Sequence, residues 1–84
     1  MDNKNSIFIR ISSPDKLIWE GEALSLSSVN SQGPFDILPY HANFISIIEN
    51  QPLKIRTPVK TEEFTFPNCI IYAHENKVIV FTNL

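Results

Sequence analysis

The feature that most restricts what this chain can fold into is a period of two. In "SIFIRIS", Ile7, Ile9 and Ile11 share one face of an extended chain, and Phe8 and Arg10 take the other. Leu24 and Leu26 alternate with serines in "ALSLSSV", and Leu53 and Ile55 alternate with Lys54 and Arg56 in "LKIRT". Successive side chains of a strand point to opposite faces, so this is the pattern of half-buried strands. "CIIYA" and "VIVFT" are richer in β-branched residues and flank "HENK", which predicts a four-residue hairpin loop.

Turn signals interrupt this pattern roughly every eight to twelve residues. They are "SPDK" (13–16), "NSQGP" (30–34), "ENQP" (49–52) and "TPVKTEE" (57–63), and strands are expected to stop at their prolines. No window carries an apolar stripe at helical spacing. "HANFISIIEN" (41–50) is ambiguous, and its isoleucines and Phe44 favour a strand. The prediction is an all-β fold, a small β-sandwich of roughly eight to ten short, mostly antiparallel strands. With 84 residues, it forms one domain over 1–84. A chain this short buries only about 60–65% of its unfolded surface.

Composition narrows function by exclusion. The net charge is -2, and Lys4, Arg10, Lys16, Lys54, Arg56, Lys60 and Lys77 are scattered, so no clustered basic face for nucleic acid is expected. A single cysteine, Cys69, cannot form an internal disulfide and points to a reducing compartment. Neither a signal peptide nor a membrane helix can be read, so any membrane contact is expected through a partner. Two glycines, Gly21 and Gly33, cannot build a glycine-rich phosphate loop. His41 and His74 fit no two-histidine metal motif, and Cys69 reads as a small buried hydrophobe. No catalytic residue, metal, cofactor or small-molecule ligand is expected. Glu62 and Glu63 read as a solvated turn, Gly21 as a bulge or tight bend, Trp19 as a sheet-packed aromatic and His74 as a turn residue.

"GPFDILPYHANF" (33–44) is the unusual segment, with two prolines and a histidine among Phe35, Tyr40 and Phe44. Two readings of His41 stay open on spacing alone. It is a packing residue that satisfies a backbone group in the turn forced by Pro39, or it is part of an aromatic contact surface.

The wider block "NSQGPFDILPYHANFISII" (30–48) resembles the epsilon subunit of F-type ATP synthases, whose mitochondrial counterpart is called delta. The similarity is carried by Gly33, Phe35, Ile37, Leu38, Pro39, His41, Ala42, Phe44 and Ile45. Trp19 and Gly21, the basic strand "LKIR" and the closing "CIIYAHENKVIVFT" extend it to about residues 6 to 82. The family usually has glycine where Asp36 stands, proline where Asn43 stands and a glycine pair at Asn68 and Cys69. Asp and Asn tolerate positive φ, so Asp36 and Asn68 are expected to stand in for glycine.

The resemblance implies a non-catalytic rotor part at the foot of the central stalk, between the gamma subunit and the c-ring. It implies a cytoplasmic location, peripheral on the inner face of the membrane. The 84 residues hold no counterpart of the helical C-terminal hairpin that inhibits rotation in family members, so the structural role alone is implied. Gly33, Pro34, Phe35, Tyr40 and His41 would face the c-ring, and Ser13, Asn43 and Phe44 would lie toward gamma. Phe44→Asp is then expected to weaken gamma binding without unfolding the domain. The alternative is a free-standing β-sandwich binding module diverged from that subunit.

Overall fold

The computed structural model describes residues 5–82. Nine strands run in chain order: β1 (Ile7–Ser12), β2 (Leu17–Ala23), β3 (Ser25–Asn30), β4 (Gly33–Ile37), β5 (Phe44–Glu49), β6 (Pro52–Arg56), β7 (Thr61–Thr65), β8 (Asn68–His74) and β9 (Lys77–Thr82). They form two sheets, β2-β1-β9-β8-β5 and β4-β3-β6-β7. Every pairing is antiparallel except β1 with β9. This is the sandwich that the alternation predicts.

The alternation also selects the core. Ile7, Ile9 and Ile11 of β1 are buried, with Leu26, Ile37, Ile48, Leu53 and Ile55, and Ile71, Val78 and Val80 from β8 and β9. Each such side chain contributes about 1.5–3 kcal/mol by leaving water. Cys69 sits among them, and burial pushes its thiol pKa up to about 11. A thiol in that state is a packing group, not a nucleophile.

Several local expectations need correction. The β8–β9 connection is a two-residue turn, not a four-residue loop, because His74 already pairs with Lys77. Glu75 and Asn76 both take positive φ, +51 and +62, as a twist-matched type I′ hairpin turn requires. Glu62 and Glu63 lie in β7, and Glu62 forms a 3.1 Å ion pair with Lys60. Pro34 and Pro52 do not end strands. Pro52 opens β6, and Pro34 lies in β4, which pairs on one side only, the two settings a strand proline tolerates.

Gly21 is not at a bulge. It pairs with Ile9, and the register shift lies between Ile11 and Ser12. The glycine instead makes room for the Trp19 indole, which would lie 3.3 Å from a Cβ there. Asp36 and Asn68 do not stand in for glycine by taking positive φ. Both are strand residues, and outside glycine positive φ falls on Tyr40, Asn50, Glu75 and Asn76 among the described residues.

Candidate functional site

Leu38 to Asn43 connect the four-stranded sheet to the five-stranded one. The His41 N–H donates to the Leu38 carbonyl at 3.1 Å, which closes a four-residue turn. Pro39 occupies its second position and Tyr40 its third, with φ +67. Pro followed by a positive-φ residue is the type II arrangement, in which the third position favours glycine. The Tyr40 N–H donates to Asn76 Oδ1 at 2.6 Å, so this turn is tied to the β8–β9 turn.

His41 faces inward from this turn. Its Nδ1 lies 2.7 Å from the Ala42 carbonyl oxygen. A carbonyl only accepts, so Nδ1 carries the hydrogen and donates. The ring meets Phe44 edge-on at 5.5 Å, and Phe44 meets Phe35 at 5.1 Å. Phe35 and Phe44 belong to different sheets and pack against the core, so this cluster joins the two layers. His41 thus makes the hydrogen bond and the aromatic contact that the first reading expects. Phe44 is half-buried, and Phe44→Asp would place a carboxylate between the sheets, so the expectation that it spares folding does not fit this geometry.

The residues that the resemblance turns toward the c-ring are divided between the two ends of β4. Gly33 and Pro34 open β4, beside the β3–β4 turn, while Tyr40 and His41 follow its other end. Five strand residues separate these ends by roughly 13 Å. Gly33 takes φ +118, and a Cβ there would meet nothing within 4 Å. The penalty for a side chain is thus purely conformational. Gly33→Ala is expected to lose about 1–2 kcal/mol, read as a lower urea midpoint; an unchanged midpoint would show that the turn relaxes.

Ser13 and Asn43 are also far apart. β5 and β9 each run antiparallel to β8, and β1 runs parallel to β9, so β1 and β5 point the same way. Ser13 follows β1, where its N–H donates to the Lys16 carbonyl at 2.9 Å. Asn43 precedes β5, where its Oδ1 accepts from His74 Nδ1 at 3.0 Å. The two lie diagonally across the five-stranded sheet.

What lies between them is the feature that the sequence reading missed. On the outer face of this sheet, Ile45, Tyr72 and Ile79 form one cross-strand row, and Ile47, Ile70 and Phe81 form the next. Ile45 is 68% exposed, Ile47 62% and Phe81 46%. Arg10 and Glu20 extend the first row toward β2, His74 and Lys77 bound the block at one end, and Glu49 and Asn68 bound it at the other. A contiguous apolar block with a polar rim is the anatomy of a protein–protein contact. The available signal was that "CIIY" and "VIVF" are apolar at consecutive positions and "FISII" at all but Ser46, as in strands covered on both faces.

No group of three or more His, Cys, Asp or Glu side chains among the described residues is placed to hold a metal. No helix among them is long and apolar enough to cross a membrane.

Comparison with known proteins gives a consistent picture. The profile of the β-sandwich domain of the ATP synthase delta/epsilon chain matches residues 6–83. The ATP synthase epsilon chain of Leptospira borgpetersenii serovar Hardjo-bovis is 31% identical over 75 residues, 89% of this chain and 59% of that one. That of Sulfurimonas denitrificans is 32% identical over 73 residues, 86% of this chain and 56% of that one. The chain thus spans somewhat less than two thirds of these relatives. In a cryo-EM structure of the Euglena gracilis mitochondrial ATP synthase, comprising OSCP, F1 and c-ring, one chain superposes with a TM-score of 0.85 at 12% identity. The match covers 93% of this chain and 51% of that one. A chain from the central stalk and c-ring of the Tetrahymena thermophila mitochondrial ATP synthase gives 0.78 at 14% identity, over 96% and 66%. At these identities the superpositions show a common fold.

Proposed function

Since the chain belongs to the family of ATP synthase delta/epsilon chain β-sandwich domains, we infer that it serves as a non-catalytic rotor element of an F-type ATP synthase, held between a gamma subunit and a c-ring. The observation that carries this reading is the apolar block on the outer face of the five-stranded sheet. An uncovered block of this kind is unfavourable in water, and a permanent partner removes that penalty. We assign the block to gamma, with Ser13 and Asn43 at its diagonal corners and Phe44 bracing β5 from beneath.

The end of β4 that carries Gly33 and Pro34, with Phe35 anchoring it to the core, then meets the polar loops of the c-ring. In this reading the domain lies on the F1 side of the membrane, which would be the cytoplasmic side in a bacterium, and touches it only through the c-ring. The sandwich supports coupling between ion flow and ATP synthesis mechanically. Nine short strands in two packed layers resist shear better than a loop would, and contacts on a preformed sheet lose little entropy on binding. The same organism's gamma subunit is expected to form a complex with this domain at micromolar concentration or tighter, measured by calorimetry. A folded domain that forms no complex at that concentration overturns the reading.

A further inference from the structure

We propose that Tyr40 is a binding anchor for the gamma subunit, held in a strained turn so that its ring projects at the margin of the apolar face; this rests on the reading of that face as the gamma contact. A bulky side chain at φ +67 is uncommon, because the Cβ of an L-residue crowds its own carbonyl oxygen in the left-handed region. Among the described residues, no hydrogen bond or ring contact of the Tyr40 side chain offsets this strain, and the residue is 67% exposed. The stabilising contacts are made by its backbone. Pro39 sets the turn, His41 closes it, and Asn76 Oδ1 accepts the Tyr40 N–H at 2.6 Å.

The location gives the strain a use. Asn76 belongs to the β8–β9 turn, and the next residues on either side, His74 and Lys77, form the polar edge of the apolar block. His74 also stacks on Tyr72 of the block, with centroids 6.0 Å apart. Tyr40 thus stands at the same corner as Asn43, whose Oδ1 accepts from His74. Leu38, 49% exposed, begins the same turn. An exposed tyrosine whose backbone is fixed at both neighbours loses little backbone freedom on binding, and tyrosine is one of the residues enriched among those that carry interface energy. The matching partner surface is a hydrophobic patch that receives the ring, with the hydroxyl left toward solvent.

The test uses three variants in the full chain, Tyr40→Gly, Tyr40→Asn and Tyr40→Phe, with gamma binding and thermal unfolding measured for each. Tyr40→Gly is expected to raise Tm by roughly 4–8 °C, because glycine accepts the left-handed conformation without strain, and to weaken gamma binding at least about tenfold. Tyr40→Asn separates turn stiffness from the ring: it tolerates positive φ and should lose binding equally. Tyr40→Phe should retain most of the affinity. Wild-type binding with Tyr40→Gly and Tyr40→Asn equally tight would overturn the anchor while leaving the gamma contact intact. A fall in Tm for Tyr40→Gly would overturn the strain. No binding by the wild-type chain would remove the underlying reading, and the anchor with it.

Discussion

Ile71→Asp is expected to leave no folded domain at room temperature. Ile71 is fully buried in β8, facing Ser46 of β5 on one side and Val80 of β9 on the other. A carboxylate there has no cation within the core and must be desolvated or protonated, and either outcome also leaves the isoleucine's space poorly filled. A chain of this length has a total stability of about 4–13 kcal/mol, and an unpaired buried charge removes several of these. Cys69, two residues earlier and equally buried, supplies the readout. Its thiol should react slowly with a disulfide reagent in the wild type and at the rate of a free thiol in the variant. Ile71→Val, which removes one methyl group, should lose only about 0.5–1.5 kcal/mol and keep Cys69 protected. Slow labelling in the aspartate variant would mean that the core around Cys69 stays closed and that the domain tolerates the substitution, which overturns the prediction.

Ile47→Asp should do the opposite. Ile47 points outward from β5, an edge strand, and its side chain is mostly solvated. Its replacement should shift folding stability by no more than about 0.5–1 kcal/mol. If gamma covers this face as proposed, the same position lies inside the contact, next to Ile70 and with β8 between it and Phe81. Desolvating an unpaired carboxylate there should weaken binding by roughly 2 kcal/mol or more, about 30-fold. Wild-type affinity in Ile47→Asp would move the gamma contact off this face.

The sequence makes the core strands plain because one physical rule decides them. Ile7, Ile9 and Ile11 are separated by Phe8 and Arg10, and only an extended chain puts the three isoleucines together. The same rule hid the outer face. In "FISIIE" the alternation assigns Ile48 to the core, yet Ile45 and Ile47 on the opposite face are apolar too, and period-two reasoning treats that side as solvent. The β8–β9 turn was read too long because Glu75, which gives no turn signal, adopts positive φ there. At the site, Pro39 made the turn legible, and His41 has the hydrogen bond and the ring contact expected of a residue in it. Tyr40 did not stand out, since nothing local says that a tyrosine will occupy a position suited to glycine. Sequence spacing alone does not show that Gly33 and Tyr40 lie at opposite ends of one strand, because the bounds of β4 follow from its pairing with β3.

The parallel contact of β1 with β9 carries a consequence for biosynthesis. Phe8 lies opposite Lys77, so the first of the nine described strands pairs with the ninth. While the ribosome is still adding residues, β1 can pair with β2, but one side of its ladder stays open until β9 emerges. The five-stranded sheet remains in two pieces until then, with Ile9 and Ile11 lacking Val78 and Val80 as neighbours. Contacts between such distant parts of a chain form slowly, typically in milliseconds to seconds for β-sandwiches. The nascent domain therefore passes through a stage in which much of its apolar surface is uncovered, and its five-stranded sheet closes only once β9 has left the exit tunnel.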